Sequence, residues 1–308
     1  MLKKINFWGW FSILSVLLVI QFLYWYVYRS NVYAFFYSLK NSSHNVVNEY
    51  NGNLKLYSLN EDAIRVETIK NVKARGINII VGPNFSSTGA KIFQFLEKYD
   101  LVSFSPSITS TKLLKQTNRI ISMVPTNEYQ IKSIMEFLKE KNVQKVLLVL
   151  DPFNKEYANE FLMILDVFEG KYKYFYTVTN FSENLDDYDA IVLTLAPKYA
   201  SDFLWYFAKY YKGIILGTDS VFDEILNTLP TLSNFYIVNF GFKSYDWSNE
   251  AILKIFDILS KHKFISTNQF INFLLGHDIY DGISLTKDGV INKGIKIVNF
   301  EEFRKENR

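Results

Sequence analysis

From Val32 onward, short and nearly unbroken apolar runs alternate with longer stretches in which apolar residues return every three to four positions. The short runs predict buried strands at 32–39, 53–59, 79–81, 120–124, 145–150, 172–178, 190–195, 213–216 and 235–240, with one more ahead of Ser105. The periodic stretches predict helices at 62–75, 128–141, 157–168, 199–211, 249–262 and 268–275, and another after the Ser86-Ser87 pair. Gly76 stops the first of these, Pro125-Thr-Asn127 breaks the chain ahead of the second, and residues 281–300 read as turn-rich β-structure. Strands that are apolar on both faces, alternating with helices, imply parallel sheets covered on both sides.

Residues 77–111 are the most informative stretch. A strand ends in a Gly-Pro turn and a Ser-Ser pair, a helix follows, and a second strand ends in Ser105-Pro-Ser-Ile-Thr-Ser-Thr111. Two strands thus end in hydroxyl-rich turns that open onto helices, on the edge where open α/β sheets hold ligands. Helix-start amides and hydroxyls suit a carboxylate. Each hydroxyl is equally suited to capping its own helix.

A different pattern precedes Val32. Residues 5–28 carry no charge and are apolar on every face, and about 20 such residues cross a bilayer core. Trp8 and Trp10 at one end and Tyr24, Trp25, Tyr26 and Tyr28 at the other suit the two interfaces. Lys3 and Lys4 before the segment favour a cytoplasmic N-terminus, and so an extracytoplasmic body, periplasmic or extracellular. A cleaved signal peptide is the competing reading, but its acceptable cut, Val32-Tyr-Ala34, falls within the first strand.

Composition narrows the chemistry. The chain has 308 residues, enough for one large or two ordinary domains, and 34 basic against 31 acidic residues without a basic block that would suit nucleic acid. The absence of cysteine excludes disulfides, thiolate metal sites and a lipid-modified cysteine. Three scattered histidines, His44, His262 and His277, make a histidine metal site unlikely on spacing alone. No glycine-rich nucleotide fingerprint or nucleophile elbow is present, and Asp151, at a strand end like a phospho-acceptor, lacks companion acidic residues. Catalysis and a cofactor are therefore not expected.

The run IIVGPNFSSTGAKIFQFLEKYDLVSFSPSITSTKL, then NRIISMVPTNEYQIKSIMEFLKEKNVQKVLLVLDPFNKEYANEF, resembles the type I periplasmic-binding-protein family, in particular its branched-chain amino-acid ABC-transporter branch. The likeness continues through DAIVLTLAP, IILGTDS and FYIVNF and returns at DGISLTKDGVINKGIKIVNF. It implies a two-lobed α/β fold, with two doubly wound parallel sheets joined by a hinge, preceded here by one N-terminal transmembrane helix. The expected division is an anchor at 1–31, lobe one at 32–124 plus about 242–280, and lobe two at 125–241 plus about 281–303. The implied function is capture of a small amino-acid-like ligand for an ABC-transporter permease. The resemblance places Ser86, with neighbouring Ser87, on the ligand carboxylate, and Ser107 and Thr109 on the carboxylate and ammonium. It places Asp219 on the ammonium from lobe two, and Phe153 as a cover.

Three departures from the pattern favour the alternative of a degenerate domain acting as a sensor or protein-interaction module. The first strand-to-helix loop is cut to about 40–44, the usual helix between Lys261 and Asn268 is missing, and Asn154 and Ile108 stand where the family has glycine and a small residue.

Overall fold

The computed structural model describes residues 7–29, 32–39, 42–50, 52–241, 247–264, 266–275, 278–280, 283–284 and 295–306. Strands β1 (Val32–Tyr37), β2 (Lys55–Asn60), β3 (Ile79–Val81), β4 (Val102–Ser105) and β5 (Ile120–Ser122) form one wholly parallel sheet in the order β2-β1-β3-β4-β5. Strands β6 (Lys145–Leu150), β7 (Glu169–Tyr174), β8 (Ala190–Leu193), β9 (Ile214–Gly217) and β10 (Phe235–Asn239) form a second. Its order ends β10-β9-β8-β6-β7, which repeats the winding of the first sheet. A short hairpin, β11 (Asp278–Tyr280) and β12 (Ile283–Ser284), stands apart, and β13 (Lys296–Asn299) adds to β10 antiparallel. That antiparallel edge strand corrects the expectation of purely parallel sheets.

The helices are α1 (Phe7–Arg29), α2 (Val46–Glu49), α3 (Val66–Ala74), α4 (Ser86–Lys98), α5 (Thr111–Gln116), α6 (Asn127–Glu140), α7 (Lys155–Ala158), α8 (Pro197–Phe203), α9 (Trp247–Lys261), α10 (Thr267–Leu274) and α11 (Phe300–Glu306). Alternation along β1 shows why the first sheet is covered twice. Tyr33 and Phe35 pack with Ile252, Phe256 and Phe270 of α9 and α10, while Ala34 and Phe36 pack with Ile69, Val72, Ile92 and Leu96 of α3 and α4. The second sheet builds its own core with α6 and α11, through residues such as Ile134, Leu148, Val192 and Phe300.

Several elements depart from the periodicity reading. The helix expected at 157–168 is one α-turn followed by a 3-10 stretch, Asn159–Asp166. The strand expected at 172–178 starts at Glu169, because it pairs in register with β6 from Lys145 onward. Helix α8 continues into a π-turn, Leu204–Ala208. Helix α11 starts at Phe300, the last residue of the expected β-structure, and runs on to Glu306, where no element was expected. The expected lobe crossover at 242–246, His277 and all of 285–294 lie outside the described residues.

Helix α1 covers the uncharged N-terminal segment, with side chains described from Gly9 to Tyr24. Trp10, Phe11, Leu14, Leu17 and Leu18 are all more than half exposed. Among the described residues no helix is long and apolar enough to cross a membrane.

Candidate functional site

Both sheets have the strand order whose switch point lies between their first and third strands, and ligands bind beyond the carboxyl ends of the strands there. In the first sheet this puts the Asn84–Ser87 turn after β3 at the edge; in the second, it puts the turns after β6 and β8 there. These turns meet in one cleft. Its first part has a volume of about 60 Å3 and is lined by Asn84, Phe85, Ser86 and Ser107 from the first sheet, and by Asp151, Asn154, Tyr157 and Asp219 from the second. Trp247, at the start of α9, also lines it. A second part of about 50 Å3 adds Glu61, Ser87, Lys91, Phe153 and Tyr199.

The first turn is held by a ladder of hydroxyls. Ser103, Ser105 and Ser107, alternating along β4 and beyond, donate to the carbonyls of Gly82, Pro83 (2.7 Å) and Asn84 (2.9 Å) in turn. Gly82 has φ +101°, open to glycine alone without strain, and a Cβ there would lie 2.7 Å from the Phe36 carbonyl oxygen. Glu61 accepts the Asn84 N–H at 2.6 Å, and the Asn84 amide donates to the Phe36 carbonyl at 3.1 Å. Asn84 is thereby fixed, and its Oδ1 is left buried without a hydrogen-bond partner.

The expected ligand residues fall into three groups. Ser86, Ser107 and Asp219 line the first part of the cleft together. Ser87 and Phe153 line the second part, where Phe153 is half exposed and stacks on Tyr199 with ring centroids 5.5 Å apart. Thr109 is not among the lining residues. It is fully buried, its Oγ1 has no hydrogen-bond partner, and its carbonyl accepts the Asn127 N–H at 2.7 Å. The turn that carries Thr109 curls into the body, because Ile108 beside it is drawn into the core under α4, against Gly89 and Leu113. Ile108 therefore adds no bulk to the cleft, contrary to expectation.

Several of the expected carboxylate-binding donors are satisfied within the chain; the Ser86 hydroxyl, which only accepts, is not among them. Glu160 accepts the Ser110 hydroxyl at 2.6 Å and the Thr111 and Lys112 N–H groups at 2.9 Å, which closes the start of α5. Asn154 Oδ1 accepts the Ser87 N–H at 3.0 Å. The Ser86 hydroxyl accepts the Ser110 N–H at 3.4 Å. The residue that departs from the family pattern, Asn154, thus ties α4 to the turn after β6. Sequence reading missed Glu160, Asn84, Tyr157 and Trp247. The alternation of Ser103, Ser105 and Ser107 was the one local signal that these hydroxyls share a structural task.

Acid dominates the second wall. Burial pushes the Asp219 carboxyl up to about 6, while hydrogen bonds pull it back. One of those is the Tyr157 hydroxyl, which donates to Asp219 at 2.6 Å, and burial beside that carboxylate raises the phenol well above its usual range. Asp151 is buried, and its oxygens accept the N–H groups of Phe153 (2.7 Å) and Ala196 (3.1 Å). Both oxygens are engaged in holding the turn, as befits a structural aspartate. Asp223, also at the rim, is raised by burial. Among the described residues no group of three or more His, Asp or Glu side chains is placed to hold a metal ion.

No protein-family model matches the chain, and no curated protein does. Solved structures do. The branched-chain amino acid transporter substrate-binding protein LivJ from Streptococcus pneumoniae, in complex with isoleucine, superposes with a TM-score of 0.64 at 18% identity, over 87% of this chain and 99% of that one. The leucine-binding protein LivK from Thermotoga maritima gives 0.67 at 12% identity, over 88% and 99%. A solute-binding protein of an ABC transporter from Rhodopseudomonas palustris, in complex with 3,4-dihydroxybenzoic acid, gives 0.67 at 12% identity, over 87% and 92%. With two sheets of one winding order facing across a cleft, the chain has the type I periplasmic-binding-protein fold, shared with substrate-binding proteins of branched-chain amino-acid ABC transporters and extracellular ligand-binding receptors.

Proposed function

We propose that the protein is an extracytoplasmic solute-binding protein, which captures a small amino-acid-like ligand between its two lobes and presents it to an ABC-transporter permease. The observation that carries this reading is the convergence of Ser86 and Ser107 from one sheet with Asp219 from the other on one cleft. The similar structures are substrate-binding proteins, two of them leucine- or branched-chain amino-acid-binding proteins. An aspartate facing an ammonium gives a charge-assisted hydrogen bond, and closure of the lobes would withdraw it from water. Calorimetry of the full chain against an amino-acid panel tests the reading. Binding that weakens in Asp219→Ala supports it, and a panel without any binding rejects it.

The lobes divide as the sheets do, with 32–124 and about 242–280 in the first, and 125–241 and about 281–303 in the second. Residues 1–31 tether them to the membrane, N-terminus cytoplasmic. The uncharged run at 5–28 and the exposed apolar side chains of α1 support the tether. Alkaline carbonate extraction checks it: the full chain should stay in the membrane fraction, and a chain beginning at Val32 should not.

A second reading, an interaction module without transport, has its own support. Glu160 and Asn154 already occupy the amides at the starts of α5 and α4. Co-purification with a membrane protein, unaffected by any small solute, would favour it.

A further inference from the structure

Helix α6 buries two amides on a face that is otherwise apolar. Its inward residues Ile131, Ile134 and Leu138 belong to the core of the second sheet, yet Asn127 and Gln130 in the first turn are fully buried as well. Buried amides persist where their donors and acceptors find partners. Here the partners form a closed ring. Asn127 Nδ2 donates to the Tyr157 carbonyl at 3.4 Å, and Gln130 Nε2 donates to Asn127 Oδ1 at 3.2 Å. The Asp219 N–H donates to Gln130 Oε1 at 3.4 Å, and the Tyr157 hydroxyl closes the ring on Asp219 Oδ1 at 2.6 Å.

Tyr157 and Asp219 line the first part of the cleft, and Asn127 and Gln130 are not among its lining residues. The two amides therefore act on a bound solute only through the tyrosine and the aspartate. The ring also reaches the first sheet, because the Asn127 N–H donates at 2.7 Å to the carbonyl of Thr109, in the turn after β4. Burial raises the Asp219 carboxyl to about 6, and the hydrogen bonds of Tyr157 and then of Gln130 pull it back. The other acids of this wall are Asp151 and Asp223, from the turns after β6 and β9, and no Lys, Arg or His stands among the described lining residues. With every member buried, water is poorly placed to replace a lost partner, and the loss of one is felt by the others.

We propose that Gln130 and Asn127 are positioning residues of the solute site, which hold the Asp219 carboxylate in its place at the cleft wall and tie it to the Thr109 turn of the other sheet. The contact of Asp219 with a solute rests on the solute-capture reading; the hold of the ring on Asp219 does not. Without the Gln130 amide, the Asp219 N–H and Asn127 Oδ1 lose their partner. The carboxylate also loses a group that favours its charged form, so it should titrate higher still. A residue that only filled space behind the site would leave that titration where it is.

Two measurements on the full chain in detergent micelles test this. Gln130→Met keeps the bulk of the side chain without its amide, and Ile134→Val, buried on the same helix and outside the ring, is the control. The first measurement follows the Asp219 carboxyl by NMR of chain isotope-labelled at its aspartate carboxyls, with the signal assigned by its loss in Asp219→Asn. Gln130→Met should raise the midpoint by about half a pH unit or more, and Ile134→Val should not move it. The second is calorimetry with leucine, isoleucine and valine at pH 7.5. Gln130→Met should weaken whichever of them binds by about fivefold or more, the effect of one buried hydrogen bond, and Ile134→Val should not. A midpoint unmoved in Gln130→Met, or moved as far in Ile134→Val, overturns the proposal and leaves solute capture intact, and so does an affinity equal to that of wild type. If wild type binds none of the three, solute capture fails and the positioning role falls with it, even where the midpoint moves. Should Gln130→Met not fold, Asn127→Ser, which takes the acceptor away from Gln130, stands in for it in both measurements.

Discussion

Asp219 shows how much a single side chain in the cleft is asked to do. Its folded-state pKa of about 6 stands above the ordinary 3.8, so the native chain holds this proton more tightly than the unfolded one. The stability contributed by the group is complete below about pH 4 and is lost as the pH rises through about 6. In Asp219→Asn that loss should vanish, so the wild-type melting temperature should fall relative to the variant between those limits. Asp223, raised in the same direction, remains in both proteins and cancels in the comparison. Ligand binding runs the other way. A ligand ammonium needs the ionised carboxylate, so ligand affinity should drop about tenfold from pH 7 to pH 5, as protonation of Asp219 competes. Tyr157 stays protonated over this range and keeps donating to the carboxylate. A flat affinity profile would assign the ammonium to another group.

At the scale of elements, the turn after β3 is the part on which the cleft depends. Three serine hydroxyls, a glutamate and a glycine with positive φ hold four residues in place, and Asn84 faces the cleft as a consequence. Gly82→Ala puts a Cβ against a backbone carbonyl that cannot swing aside, in a conformation disfavoured for alanine. A loss of about 2–4 kcal/mol is expected, measured by denaturant unfolding. The start of α5 depends on a residue far away in sequence. Glu160→Ala leaves the Thr111 and Lys112 amides and the Ser110 hydroxyl without their carboxylate. Hydrogen bonds to a charged group are each worth about 1.5–3 kcal/mol, less where water can replace them, so a loss of about 2 kcal/mol overall is expected. The strand positions were readable from apolar runs, because a strand buried on both faces must be apolar throughout. Residues 159–166 were misread as α-helix, since hydrophobic period fixes a buried face and not the tightness of the coil. The Thr109 role failed for a related reason: hydroxyls in a turn look alike in sequence, whether they face a cleft or the interior.

At the scale of the whole molecule, two sheets of the same winding face each other, and the contacts across the gap decide what the cleft can do. Glu160 on α5 and Asn154 on α4 are ties between the lobes. Removing both in Glu160→Ala/Asn154→Ala should widen the average interlobe gap, read by small-angle scattering as a larger radius of gyration than wild type. Addition of a bound ligand should reverse it. An unchanged radius would mean that the core contacts of α9, with Trp247 in one hydrophobic core and Ile252 in the other, set the gap instead. The sequence by itself determined the α/β alternation, the two hydroxyl-rich turns and the uncharged N-terminal segment, and its resemblance to a family raised the expectation that Ser86 and Asp219 line one cleft, as they do. Each of these follows from local pattern, or from the order of motifs along the chain. Only the tertiary structure decided which of those groups are free for a ligand. Hydrogen-bond capacity is limited, and partners such as Glu160 for Thr111 or Ser107 for Asn84 lie far apart in the chain. Much of what first reads as a carboxylate site is therefore spent on holding the fold, while Ser86 and Asp219 still line the cleft.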